Sequence, residues 1–167
     1  NKLNSHVGDT SNLILDPDLD SYYLMDITLI KIPIVIETST RIEQIIFSAK
    51  REGTLTQENQ IKLFTLYSQL NSAIDQTLSS FEIAYKYNSK IKQKLETKKT
   101  STLVAINNYK EELKFISNPA NKETDMVRLE NFPNLIKNYN ESLYSLYSIT
   151  SESQNTLLDI RVSALKM

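Results

Sequence analysis

The chain has 167 residues, enough for one domain with a sizeable core, but only 2 Gly and 4 Pro, too few for the turns of a sheet protein of this length. Cys is absent and His6 is the single histidine, which excludes disulfides, zinc–thiolate sites and thiol catalysis and leaves no basis for His-built metal sites or triads. Lys+Arg number 19 against 20 Asp+Glu, so the basic excess of a typical nucleic-acid binder is missing.

The first twelve residues stand apart from the pattern that follows, and Leu3, His6 and Val7 read as the tail of an earlier helix or linker. The chain starts with Asn rather than Met, which suggests a piece of a longer protein. Asp16-Pro17 is a helix start, an acidic cap followed by a proline tolerated in the first turn. The helix runs to about Arg51, and Gly53 closes it as a left-handed cap. Pro33 lies inside it, removes a backbone donor and predicts a kink.

Thr56 caps the second helix, whose apolar face is Leu63, Tyr67, Leu70, Ile74, Leu78, Phe81 and Tyr85. Asn88-Ser89 breaks the chain and caps the third. Its seam is Ile91, Leu95, Lys98, Thr102, Ile106, Tyr109, Leu113 and Ile116, with one charged position. Residues 118–130 read as a long loop, and Asn131 with Pro133 restarts the helix. The fourth seam is Ile136, Tyr139, Leu143, Leu146, Thr150, Ser153, Leu157, Ile160 and Ala164. The expected fold is therefore all-α, an antiparallel up-down-up-down four-helix bundle over residues 13–167. Its helices cover about 17–51, 57–87, 90–117 and 132–166, each about 45 Å long.

Aligned antiparallel, the helices bring Tyr22, Tyr23, Asp26, Tyr85, Tyr87, Asp159 and Arg161 to one end. Thr150 and Ser153 fall opposite Thr102 at mid-height, near Pro33. Two candidate ligand sites result. One is the polar layer Thr102, Thr150 and Ser153, whose hydroxyls either bond their own helices or line a small hydrated cavity. The other is Tyr22, Tyr23, Asp26 and Arg161, where Asp26 or Asp159 is the expected partner of the arginine. Lys90, Lys92, Lys94, Lys98 and Lys99 read as a solvated face, with an anionic-lipid or nucleic-acid patch as the alternative.

No enzyme signature stands out. The glycines are Gly8 and Gly53, so phosphate loops and nucleophile elbows are missing. Asp16, Asp18 and Asp20 alternate like a calcium loop but lack its central glycine and distal glutamate. Neither a cofactor nor a metal is expected, and the chain reads as a non-enzyme. The apolar run Ile27 to Ile36 is broken by Lys31 and Pro33 and falls short of a membrane span.

The stretch Ser11-Asn12-Leu13-Ile14-Leu15-Asp16-Pro17-Asp18-Leu19-Asp20-Ser21-Tyr22-Tyr23-Leu24-Met25-Asp26 resembles the start of the extracytoplasmic helical sensor regions of bacterial transmembrane receptors. These are the methyl-accepting chemotaxis protein, sensor histidine kinase and diguanylate cyclase types. Leu157-Leu158-Asp159-Ile160-Arg161 is similar to the segment that closes such regions before a second membrane span. The helical body between matches in pattern only. The resemblance implies a periplasmic sensing domain of an inner-membrane receptor, homodimeric in the full protein. Its ligand would be a small polar molecule or a periplasmic partner, not nucleic acid, and its helices would pass a displacement to a cytoplasmic output domain. The alternative is a structural, partner-binding or dimerisation bundle, with Ile45, Ile46, Phe47, Leu66 and Tyr144 as its exposed apolar stripe.

Overall fold

A computed structural model describes residues 19–121 and 126–167. The expected tail at residues 1–12 and the Asp16-Pro17 start lie outside the described residues. Among those described there are four helices and no strand. α1 is continuous but has three parts: α-helical Leu19–Asp26, π-helical Ile27–Lys31 and α-helical Ile32–Glu52. α2 is Gln57–Tyr87, α3 is Ser89–Ile116 and α4 is Met126–Leu165.

Local chemistry sets the ends. Gly53 closes α1 with φ 73°, where a Cβ is strained. Thr56 accepts the Asn59 N–H with its side chain and starts α2. Asn88 accepts from the N–H groups of Lys90 and Ile91 and starts α3 one residue after α2 stops.

Pro33 acts differently from the expected simple kink. It cannot donate to the carbonyl four residues back, and its ring crowds that group. The turn before it widens, and the N–H of Ile32 reaches the carbonyl of Ile27, five residues back. The extra residue moves the buried seam. Leu24 and Ile27 are buried, then Ile32 and Val35, while Ile30 and Ile34 face solvent.

Cross-helix contacts fix how the helices meet. Along α1 and α2, Asp20 pairs with Asn88, Asp26 with Ser80 and Lys31 with Gln76. Between α2 and α3, Gln60 reaches the Ile116 carbonyl and Lys99 reaches Glu82. Between α3 and α4, Lys94 meets Glu152, Thr102 meets the Ser142 carbonyl and Arg128 meets Glu112. α1 and α4 join through Asp20–Arg161, Thr28–Gln154 and Ser39–Tyr139. In every pairing, residue numbers rise along one helix as they fall along the other. The four-helix bundle closes on a core that includes Leu24, Ile42, Ile46, Leu63, Leu70, Phe81, Leu95, Tyr109, Phe132 and Tyr139. Each such side chain contributes roughly 1.5–3 kcal/mol by leaving water.

Several expectations are corrected. α4 begins at Met126 rather than near residue 132, with Pro133 inside it. Lys99, not Lys98, takes the seam position between Leu95 and Thr102, because the step is four then three. The α4 seam holds as far as Ser153; Leu157 is half-buried, and Ile160 and Ala164 are exposed. In the expected apolar stripe, Ile46 and Leu66 are buried and Ile45 packs on the core, leaving Phe47 and Tyr144 exposed.

Candidate functional site

Three helices meet at the end of the bundle where α1 starts. Asp20, in the first turn of α1, is buried. Its Oδ1 accepts from a guanidinium nitrogen of Arg161 at 2.5 Å and from the Ser21 N–H at 2.7 Å. Its Oδ2 accepts from the Asn88 amide at 2.7 Å. Arg161 also donates to the Ser21 hydroxyl. Burial works against the Asp20 charge, but hydrogen bonds from Asn88, Arg161 and the Ser21 N–H, with the charge of Arg161, hold its pKa below the ordinary carboxylate value. Asn88 uses both ends of its amide, the oxygen on the start of α3 and the nitrogen on Asp20. One residue thus ties the α2–α3 turn to α1 and, through Asp20, to α4.

This clasp differs in membership from the expected end site. Arg161 is in it, but among the described residues it pairs with Asp20 rather than with Asp26 or Asp159. Asp26 accepts from Ser80 at 2.9 Å, and Asp159 is exposed. Tyr23 is buried and meets exposed Tyr22 edge-on, with ring centroids 5.3 Å apart. Neither Asp20, read within an acidic alternation and the receptor-like stretch, nor Asn88, read as a cap, was marked in the sequence as a partner of Arg161. Their convergence depends on the register of three helices, which no local pattern encodes.

At mid-height, Thr102, Ile32, Val35, Thr77, Ile106 and Leu146 border a cavity of about 20 Å3. That is room for about one water, in apolar surroundings. The Thr77 hydroxyl donates to the Ala73 carbonyl and the Thr102 hydroxyl to the Ser142 carbonyl, 3.2 Å away on α4. Thr150 and Ser153 do not share this layer. About one and two turns beyond Leu146 toward Arg161, each donates to its own helix, at Leu146 and Ile149. Lys99 borders the cavity, with its buried ammonium 2.6 Å from Glu82, 3.1 Å from Glu96 and 4.8 Å above the Tyr85 ring. Burial, with the charges of Glu96 and Glu82, pushes the Tyr85 phenol far above its usual pKa.

Toward the other end, Tyr109 and Tyr139 stack at 4.3 Å, and Phe132 packs on Tyr109. The Tyr139 and Ser39 hydroxyls are 2.6 Å apart. The Tyr109 hydroxyl is buried with no partner among the described residues. Burial raises both phenols; for Tyr109 the neighbouring Tyr139 and Glu43 add to it. Burial also raises the pKa of Glu43, against a hydrogen bond from the Asn140 amide at 3.1 Å.

Among the described residues, no group of His, Cys, Asp and Glu could hold a metal ion, and no helix is long and apolar enough to cross a membrane. No protein-family model, curated protein or solved structure matches the chain.

Proposed function

We propose that this chain is the extracytoplasmic ligand-sensing domain of a bacterial transmembrane signalling receptor, its helices arranged as an antiparallel up-down-up-down bundle. The opposed residue numbering along each pair of adjacent helices, as in Asp20–Arg161, Thr28–Gln154 and Ser39–Tyr139, supports that arrangement. One observation carries the functional reading. The two segments that resemble receptor sensor regions lie far apart in the chain, and they meet in the Asp20–Arg161 ion pair. The entering helix and the leaving helix are therefore clasped at one end. An axial shift of α4 against α1 would have to break or rebuild that contact.

Packed helices exchange between discrete arrangements rather than deforming smoothly. A ligand biases them only by binding one arrangement better. The Asp20–Ser21–Arg161 clasp and the π turn beneath it are the parts of α1 and α4 where two arrangements would differ most. A small polar ligand competing for Arg161 or Asp20 would act there directly.

A thermal-shift screen tests this reading with amino acids, organic acids, polyamines, nucleosides and inorganic anions. A compound at a hundred times its dissociation constant should add about 2.7 kcal/mol and raise the melting temperature saturably. Loss of that shift in Arg161→Ala but not in Thr102→Val would place the ligand at the clasp. A screen with no saturable shift would overturn direct sensing. It would favour the second reading, a structural, partner-binding or dimerisation bundle. The small cavity and the exposed Phe47, Phe64 and Tyr144 support that alternative.

A further inference from the structure

The clasped end of the bundle is unusual in what it shows to solvent. Lys86 and Lys90 flank Asn88 in sequence, and Lys92 lies within a turn of it. All three are exposed and form no ion pair among the described residues. α3 has no acidic residue in its first turn, so these lysines meet the positive end of the helix dipole, a placement that costs stability. Among the described residues, the acids Asp20, Glu82, Glu96 and Glu152 are occupied by Arg161, Lys99 and Lys94, and Asp159 is exposed without an ion-pair partner.

Exposed apolar and aromatic groups lie at the same end of the bundle. Tyr22 and Met25 stand beside the clasp on α1, and Tyr87 precedes Asn88. On α4, Leu158, Ile160, Val162 and Leu165 lie within about one turn of Arg161, and all four face solvent. Three exposed lysines without an acidic partner among the described residues, Lys86 with its ammonium 5.5 Å from the Tyr87 ring centroid, share this end with exposed tyrosine and aliphatic side chains, and that combination fits one kind of partner best. An anionic lipid headgroup layer takes the charge, and the boundary just beneath it takes the apolar groups. Tyrosine suits that boundary because its ring is apolar and its hydroxyl is not. Nucleic acid would match the lysines but leave the aliphatic groups of α4 without a counterpart.

We infer that this end of the bundle docks on an anionic membrane surface. The inference does not rest on ligand sensing, and its failure would leave the ligand screen unaffected.

Co-sedimentation of the whole chain with vesicles tests it. Phosphatidylcholine vesicles containing phosphatidylglycerol should bind, pure phosphatidylcholine should bind far less, and raised salt should release the protein. Lys86→Gln/Lys90→Gln/Lys92→Gln should weaken binding roughly 100-fold, since each lysine near such a surface counts for about a fivefold factor. Ile160→Ser/Leu165→Ser should weaken it on the order of tenfold or more. Lys50→Gln/Arg51→Gln, at the opposite end, should leave it unchanged. All these positions are exposed, so unchanged melting curves will show that the variants fold. The inference is overturned if anionic vesicles do not bind, if neutral vesicles bind equally, or if the Lys50/Arg51 variant weakens binding as much as the lysine triple. Stronger binding to a single- or double-stranded oligonucleotide than to anionic vesicles would also overturn it.

Discussion

Replacing Arg161 with Ala would strip a buried carboxylate of its charged partner while leaving Asn88 and the Ser21 N–H in place. Because Arg161 is itself partly exposed, the expected cost is about 2 kcal/mol rather than that of a fully buried pair. The pH dependence carries the signature. Asp20 has a lower pKa folded than unfolded, so its contribution is complete above the unfolded value of about 4. It is lost as pH falls through the folded value. Urea midpoints measured from neutral pH downward should fall less steeply in Arg161→Ala than in the parent. Glu43 has the opposite sign: its charge costs stability above its raised folded pKa, and falling pH relieves that cost. The sequence marked Arg161 as an arginine in need of a carboxylate but named Asp26 or Asp159 as that partner, where the structure has Asp20. Asp20 and Asp26 are both acidic residues early in α1, and six positions along a helix turn them to different sides. Only the packing of α4 chooses between them.

The π turn of α1 belongs to the scale of the element, and it explains why this helix was the hardest to read. Continuing an ordinary helical period from Ile27 leads to Ile30 and Ile34, which are apolar and would make a reasonable core. The structure buries Ile32 and Val35 instead, because one extra residue sits in the wide turn before Pro33. Deleting exposed Leu29 should let the turn close toward α-helix with Asp20 and Ser39 still at their partners, at a loss of up to about 3 kcal/mol, because the closed turn again crowds the Pro33 ring. Deleting Glu37 removes one residue where none is spare. It rotates Asp20 to Ile32 against Thr38 to Ala49 and should cost several kcal/mol. Thermal melts of the two deletions compare them directly. The same ambiguity between steps of three and four produced the Lys98-for-Lys99 exchange, since both spacings join Leu95 to Thr102. The caps at Gly53, Thr56 and Asn88, by contrast, were legible because each is written in one or two residues.

At the scale of the whole molecule, the number and order of the helices followed from apolar periodicity and punctuation. The cavity and the clasp did not, because both arise where separate helices meet. The stacked rings of Tyr109 and Tyr139 and the ring of Tyr85 beneath Lys99 have a consequence for how the molecule can be watched. Phenolate absorbs ultraviolet light differently from phenol, and these three of the 9 tyrosines are held in the phenol form by the packed interior. In an alkaline spectrophotometric titration they should stay silent until the helices separate, then ionise together with a single step in absorbance. Such a step coinciding with loss of circular dichroism would mark one cooperative opening. An earlier, separate ionisation of Tyr85 would mean that the clasped half opens first. The chain therefore carries its own dye, fixed at two heights along the bundle.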